Sequence, residues 1–246
     1  MKKTIILLLG LICLAPQTKA QVDSDNIDLL FQWSDTTLPA SGAHNNTYNE
    51  VWGYAAQGKE YAIIGSTMGT HIFDITDTDN AYEASFTEGR VTGSVIIHRD
   101  YHTYGNYLYA VADEGFSSLQ IFDLSFLPDS APVVYDDQDL MRRAHNIFID
   151  TTTARLYQAG GSPNIGIRVF SLANPELPVF IGEIATPETS HDLYVHNDTG
   201  FVNMGFSGFY VYDFSDINNI QNIGIFDNYV DNGYNHSGWL DVHRDL

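Results

Sequence analysis

Short apolar segments alternate with turn-forming residues along almost the whole chain. Four stretches share one pattern: an apolar strand, a glycine-containing turn, and a second strand that ends in Phe or Tyr followed by Asp or Ser. The stretches are residues 59–77, 106–125, 154–173 and 199–216. The anchor residues are Asp74, Asp123, Ser171 and Asp213, spaced 49, 48 and 42 apart. Asp and Ser suit a strand end because their side chains bond to backbone amides two residues further on.

Each of these strand pairs has one further strand-like segment on either side. Those in front are residues 49–55, 99–105, 144–150 and 190–196, and those behind are 82–88, 132–138, 178–184 and 221–227. Four strands in a period of roughly 46 residues are typical of a β-propeller blade. One blade cannot bury both of its faces, so its neighbours must supply the core. The sequence therefore predicts an all-β propeller with four complete four-stranded antiparallel blades.

Two segments outside the four repeats suggest partial terminal blades. Residues 28–35 read as a lone outermost strand, and residues 236–242 as a lone innermost strand. Propellers usually complete one blade from both ends of the chain, and these two segments would supply two of its four strands. We therefore expect the propeller domain, residues 28–246, to be incomplete at its C-terminus, as in a fragment of a longer protein. The alternative is a natural five-blade ring with a defective blade.

The N-terminal twenty residues read as a secretory signal peptide. Lys2 and Lys3 precede an apolar run and a small-residue end at Ala20, and the run is too short for a lasting transmembrane helix. We therefore predict export to the extracellular space, the cell surface or the periplasm, with a short segment 21–27 ahead of the propeller. The single cysteine, Cys13, lies within the apolar run, so the mature chain has no disulfide, reactive thiol or thiolate metal site.

The net charge of the chain limits the classes of partner that it is expected to bind. Removal of residues 1–20 leaves 8 basic against 31 acidic residues, a net charge of −23. Such a field repels phosphate backbones and anionic lipids, so nucleic-acid binding is not expected. An excess of carboxylates attracts cations such as calcium, although adaptation to salty surroundings explains the charge equally well.

Several motifs resemble a known group of secreted propellers. The strand motif "LQIFDLS", with "THIFDIT" and "FYVYDFS", resembles the LVIVD-type repeat. In order and spacing, "YNEVWGYA", "EYAIIGSTMGTHIFDIT", "ADEGFSSLQIFDLSFLP", "AHNIFID" and "YNHSGWL" are similar to the choice-of-anchor B family of secreted bacterial proteins. The resemblance implies a surface-displayed propeller and no defined activity. The attachment segment that gives the family its name does not follow the motifs here.

A ring of polar residues is expected where the first strands of the blades begin. Aligning these strands on the residue before the apolar run gives Glu50, Arg99, His145, His191 and His236. First strands line the channel of a propeller, so these side chains and the adjacent Asp100, Asn146 and Asp192 are the predicted ligand-binding site. The loop 113–115 should open on the same face, with Trp52, Tyr101 and Phe116 as aromatic contacts.

The histidines leave two alternatives open. Three neutral imidazoles, those of His145, His191 and His236, could bind zinc or another transition metal. A histidine in a channel could equally bond to a backbone carbonyl and order a loop, and Arg99 in the ring favours an anionic or polar ligand. Residues 23–28 and 74–80 have the alternating carboxylates of calcium loops, but solvated turns explain them better. We expect His98, His102, His196 and His243 to lie at the surface or in turns.

The catalytic motifs of common enzyme classes are absent from the sequence. It contains no G-x-S-x-G, no H-E-x-x-H and no phosphate-binding glycine loop. We therefore expect a non-enzymatic module that binds an extracellular ligand, glycan or protein through its loop-bearing face. The alternatives are a secreted metal-dependent hydrolase or lyase, and a purely architectural module that displays attached segments.

Overall fold

The computed structural model describes residues 27–162, 166–231 and 233–241. These residues belong to two units. The first ends at Trp33, and residues 27–33 contain no helix or strand. The second begins at Ser34 and holds every described strand. The predicted signal peptide lies outside the described residues. Within the described ranges, no helix has the length and apolar character needed to cross a membrane.

Sixteen strands form four antiparallel sheets of four consecutive strands each. Blade 1 comprises β1 (Tyr48–Ala56), β2 (Lys59–Ser66), β3 (Gly69–Asp74) and β4 (Tyr82–Glu88). Blade 2 comprises β5 (Arg99–Tyr104), β6 (Tyr107–Ala112), β7 (Leu119–Asp123) and β8 (Val133–Asp137). Blade 3 comprises β9 (Asn146–Asp150), β10 (Arg155–Ala159), β11 (Ile167–Ser171) and β12 (Val179–Ile184). Blade 4 comprises β13 (Asp192–His196), β14 (Thr199–Asn203), β15 (Phe209–Asp213) and β16 (Gln221–Phe226). Single-turn 3-10 helices lie at Thr78–Asn80, Leu124–Phe126 and Ile217–Asn219.

The predicted architecture is confirmed. The first strands of successive blades contact one another in the order β1, β5, β9 and β13, so they are the innermost strands and line the channel. Among the described residues the four sheets form an open arc and do not close into a ring.

The repeat anchors behave as the sequence predicts. The carboxylates of Asp74, Asp123 and Asp213 each accept a hydrogen bond from the backbone N–H two residues further on, and Ser171 does the same through its hydroxyl. A register shift in the third-to-fourth strand pairing also recurs in every blade, just before the anchor. The extra residue at such a bulge increases the local twist of the outer strands.

The hydrophobic core lies between the blades. Tyr61 and Ile63 of blade 1 pack with Leu108 and Phe122 of blade 2. The faces of blades 2 and 3 meet in a second cluster, and those of blades 3 and 4 in a third, which includes the fully buried Phe214. Alternate side chains of each strand point to opposite faces, so an inner blade is buried on both sides.

The prediction of strands at the two ends of the repeat array is wrong for the described residues. Residues 28–35 have no strand, and neither do residues 236–241; residue 242 lies outside the described ranges. A strand needs a neighbour that completes its ladder, and an isolated segment gains nothing from the extended form alone. The second segment instead follows a two-residue bridge between Gly205 and Asn235.

Candidate functional site

The channel ends in a cavity of about 300 Å³ at the start of the innermost strands. The lining residues are Glu50, His98, Arg99, Asp100, His145, Asn146, His191, Asp192, His236 and Ser237. All eight residues of the predicted binding site are among them, although they are up to 186 positions apart in the chain. That they bind a ligand stays a prediction.

Hydrogen bonds between neighbouring blades fix the strands that carry these side chains. The backbone N–H of Ile147 on β9 donates to the carboxyl of Asp100 on β5. The side-chain amide of Asn49 on β1 donates to the carbonyl of Ile97, and the indole N–H of Trp52 donates to the hydroxyl of Thr103. Each bond crosses one blade boundary, so β1, β5 and β9 are held in position by their neighbours.

The structure corrects the predicted alignment of Glu50. Equivalent aromatic positions on the innermost strands are Trp52, His102, Phe148 and Tyr194, which pack ring against ring. Two residues before them stand Glu50, Asp100, Asn146 and Asp192. Glu50 therefore belongs to a layer of oxygen-bearing side chains and not to the histidine layer. A shift of one residue along a strand moves a side chain to the opposite face, and the strand pattern alone did not fix that register.

Four histidines form a continuous row at the mouth of the cavity. The ring centroids of His98 and His145 are 5.2 Å apart, and those of His145 and His191 are 4.2 Å apart. His236 follows at 4.2 Å from His191. His98 was predicted to lie at the surface or in a turn, and its side chain is 45% exposed in the loop just before β5; from there its ring also joins the row.

Hydrogen bonds within the row determine where its hydrogens lie. The carbonyl of His236 can only accept, so Nδ1 of His191 donates to it, at 2.8 Å. Burial, together with the charges of neighbouring histidines, lowers the pKa of His191 to about 4, so the ring is neutral near pH 7. Its Nε2 therefore accepts from Nε2 of His145, at 3.0 Å. The predicted trio of metal-binding histidines is packed together, but His191 uses both ring nitrogens inside the row.

Two acidic residues support the row from the loop that was predicted to open on this face. Oδ2 of Asp113 lies 2.8 Å from Nδ1 of His145. Burial raises the pKa of Asp113, but the hydrogen bond and charge of His145 outweigh it and lower the pKa overall. Oε1 of Glu114 lies 2.7 Å from Nδ1 of His98, and its Oε2 accepts from the backbone N–H groups of Ile97 and His98. Nδ1 of His145 thus faces Asp113, and its Nε2 faces His191.

Arg99 lines the cavity but also binds backbone carbonyls of the neighbouring segments. Its Nε donates to the carbonyl of Ser66 at 2.7 Å and its Nη2 to the carbonyl of Val91 at 2.9 Å, and the residue is buried. The guanidinium therefore joins blades 1 and 2. Two of its five N–H donors are committed to structural carbonyls, and the expectation that Arg99 favours an anionic or polar ligand stays a prediction.

The carboxyl layer below the histidines is held largely out of water. Burial raises the pKa of Asp100 well above its usual value, and the carboxyls of Glu50 and Asp192 raise it further against the hydrogen bond from Ile147. Burial raises the pKa of Asp192 to about 6, although the backbone N–H groups of Leu193 and Gly238 donate to it. Burial also raises the pKa of Glu50. The buried Oδ1 of Asn146 has no hydrogen-bond partner among the described residues, which leaves it to accept from a ligand.

Aromatic side chains close the channel below the carboxyls. Trp52, His102, Phe148, Tyr194 and Trp239 pack in sequence with ring centroids 4.5 to 4.9 Å apart. All of them but Tyr194 line a second cavity of about 180 Å³ that shares Glu50, Asp100, Asn146 and Asp192 with the first. Burial lowers the pKa of His102 to about 4, so this histidine is a neutral member of the aromatic layer.

The remaining sequence predictions had mixed outcomes. His102 is buried and not at the surface, and Tyr101 lies in the core between blades 1 and 2 and not on the ligand face. Phe116 is exposed, as expected. His196 is the last residue of β13, and its ring contacts Asn197 of the following turn at the protein surface, as expected; His243 is outside the described residues.

The proposed calcium-like loop at 74–80 is a turn. Asp74 pairs with Lys59 at 2.6 Å, and Asp77 caps a single-turn 3-10 helix by accepting from Asp79. Both carboxylates therefore serve the local backbone. Of the other candidate loop, residues 23–28, only 27 and 28 are described.

Among the described residues, one group of side chains that shares only His145 with the predicted trio has the spacing of metal ligands. Ligand atoms of His98, Asp113 and His145 all lie within 4.8 Å of one another, and each residue is partly exposed. No short sequence motif announces the group, because His98 and His145 come from different blades.

Comparison with known proteins supports the fold. No protein-family model and no curated protein matches the sequence. The computationally designed protein Ika8 is similar in structure, with a TM-score of 0.53 and 10% identity over 81% of this chain and 54% of its own. The periplasmic gluconolactonase PpgL of Pseudomonas aeruginosa has a TM-score of 0.55 and 13% identity over 76% of this chain and 59% of its own. The chain thus spans a little over half the length of these proteins, and such identities establish the β-propeller fold alone.

Proposed function

We propose that the protein is an exported propeller that binds a small neutral or cationic ligand at the mouth of its channel. The observation that carries this proposal is the cavity of about 300 Å³, lined by all four blades and by residues 236 and 237. Polar groups that converge next to apolar surface are typical of small-molecule sites, and here the aromatic residues of the second cavity lie beneath the carboxyls and imidazoles of the first. Export rests on the N-terminal sequence pattern, and membership of the choice-of-anchor B family stays a prediction.

The charges around the cavity argue for the class of ligand. Three carboxyls line it, and the one permanent cation on its wall, Arg99, is committed to backbone carbonyls. An anionic ligand would meet repulsion with no compensating free cation, whereas hydroxyl or ammonium donors would meet oxygen acceptors, including the unpartnered Oδ1 of Asn146.

A thermal-shift series on the purified protein tests the proposal. The probes are glucose and N-acetylglucosamine as neutral ligands, tetramethylammonium as a cation and citrate as an anion. A ligand that binds only the folded state raises its stability in proportion to RT ln(1 + [L]/Kd). We expect a neutral or cationic probe to raise Tm, the Asn146→Ala variant to lose that response, and the exposed-site control Asn218→Ala to keep it. A response to citrate alone, or one that Asn146→Ala leaves intact, contradicts the proposal.

The alternative of a metal-dependent hydrolase has one observation in its favour, the group formed by His98, Asp113 and His145. A catalytic metal site keeps one position open for water or substrate. Gluconolactone is a suitable probe because a structural neighbour is a gluconolactonase. Metal-dependent hydrolysis that is lost in Asp113→Asn would replace the binding proposal with the enzymatic one.

A further inference from the structure

We propose that His98, Asp113 and His145 bind one divalent transition-metal ion, such as Zn²⁺, at the channel mouth. The inference deepens the proposed function by naming a cationic ligand for the same face, and it rests on that function only for its location. It differs from the metal site expected from the sequence, which used His145, His191 and His236.

The spacing of the ligand atoms fits a single ion. Ligand atoms of the three residues lie within 4.8 Å of one another, and Asp113 Oδ2 is 2.8 Å from His145 Nδ1. Two ligands at about 2.0–2.1 Å from a tetrahedral ion are about 3.3 Å apart, so small side-chain rotations suffice to admit the metal. The side chains of His98 and His145 are 45% and 21% exposed, which gives an ion access from solvent.

Hydrogen bonds to the far sides of both rings orient them as a metal site requires. Glu114 accepts from Nδ1 of His98, which leaves Nε2 of that ring with a free lone pair. His191 accepts from Nε2 of His145, which directs Nδ1 of His145 toward Asp113. Metal-binding histidines characteristically donate their second ring hydrogen to a carboxylate or another acceptor. Glu114 and His191 are therefore positioning residues.

The chemistry of the ligands selects the kind of ion. Two imidazoles and one carboxylate suit zinc and its transition-metal neighbours, whereas calcium and magnesium prefer oxygen ligands alone. The carboxylate of Asp113 neutralises part of the ionic charge, and Glu114 adds a second negative charge behind His98. Three protein ligands leave a fourth position for water or a bound ligand.

Metal titration of the full chain, produced without a polyhistidine tag and stripped with a chelator, tests the site. We expect Zn²⁺ and Co²⁺ to bind at a ratio of one to one. The His98→Ala and Asp113→Asn variants should each lose at least about tenfold in affinity. His196→Ala, which removes a histidine outside the group, should bind as the native protein does. Absence of one-to-one binding, or loss of binding in His236→Ala with His98→Ala unaffected, overturns the proposal.

Spectroscopy of the native protein tests the metal site even if the variants fail to fold. X-ray absorption of the zinc-loaded chain should show two imidazole ligands with the remaining ligands oxygen, and a shell with three imidazoles overturns the assignment. Repeating the glucose and tetramethylammonium thermal shifts on the metal-free protein separates the two hypotheses. If a probe still binds the metal-free protein and the titration finds no bound metal, the metal site is excluded and the proposed function is retained.

Discussion

Replacement of Asp192 by asparagine offers a quantitative test of the carboxyl layer. Burial raises the pKa of this carboxyl from 3.8 to about 6, and Glu50 adds to the effect, whereas the backbone N–H groups of Leu193 and Gly238 and the charge of His145 oppose it. Asp100 is the other buried carboxyl of the layer. An asparagine keeps an oxygen acceptor for the two N–H groups but has no charge to desolvate.

The expected effect on stability depends on pH with a definite sign. The folded state holds the proton of Asp192 more tightly than the unfolded state does, so ionisation of Asp192 lowers stability as pH rises from about 4 to about 6. A pKa raised by about two corresponds to a loss of about 3 kcal/mol in the free energy of unfolding, and this loss is present in full above about pH 6. We therefore expect Asp192→Asn to gain up to about 3 kcal/mol at about pH 8, and roughly half of that at about pH 5.

Urea unfolding of the native protein and the variant at the two pH values, with a chelator present, measures the difference. The transition midpoint should rise in Asp192→Asn without a change in slope, since the buried surface is the same. The control is Asp213→Asn: hydrogen bonds from Ser215 lower the pKa of that exposed carboxyl, so its replacement should bring no gain. A loss of stability in Asp192→Asn at about pH 8, or an equal gain at both pH values, would refute the reasoning.

Three further results are expected. Phe170→Ala, which empties a fully buried position between blades 2 and 3, should cost about 3–5 kcal/mol in urea unfolding; a cost below about 1 kcal/mol would contradict the assigned core. Arg99→Met should cost about 1–3 kcal/mol because two backbone carbonyls lose their donor, while any response to a neutral or cationic probe remains; an unfolding free energy equal to that of the native protein would contradict the structural role of Arg99. Burial raises the pKa of Asp74, but hydrogen bonds from Lys59 and Thr76 outweigh burial and hold the pKa at about 2. The ionised Asp74 carboxylate therefore stabilises the folded state, and this stabilisation disappears as pH falls from about 4 to about 2. In Lys59→Gln, nuclear magnetic resonance titration should find the Asp74 pKa closer to 3.8, and an unchanged value would show that the ion pair is not its cause.

The architecture follows from local features of the sequence. Alternating apolar residues, glycine turns and the Asp or Ser anchors recur in every repeat, and each acts over a few residues of chain. They therefore predict nearly every strand of the blades; the predicted strand 82–88, for example, has the same bounds as β4. The same repetition predicts that residues about 46 positions apart meet at the channel, and it correctly gathers all eight predicted lining residues.

The chemistry of the mouth depends on contacts that the repeat does not specify. Glu50 was assigned to the wrong layer, because one residue of register decides which way a strand side chain points. Arg99 was expected to face a ligand, but two carbonyls of neighbouring segments bind its guanidinium. His98 and Asp113 were missed as a pair with His145, since a site built across a blade boundary has no fixed spacing in the chain.

By itself, the sequence determined what each blade is, because the period of apolar residues and the turn chemistry are short-range properties of the chain. Only the tertiary structure decided which nitrogen of each histidine carries a hydrogen, which carboxyls are kept from water, and which three side chains can reach one ion. Hydrogen-bond partners, burial and ligand distances at the mouth all arise between residues of different blades, and they exist only after those blades have packed.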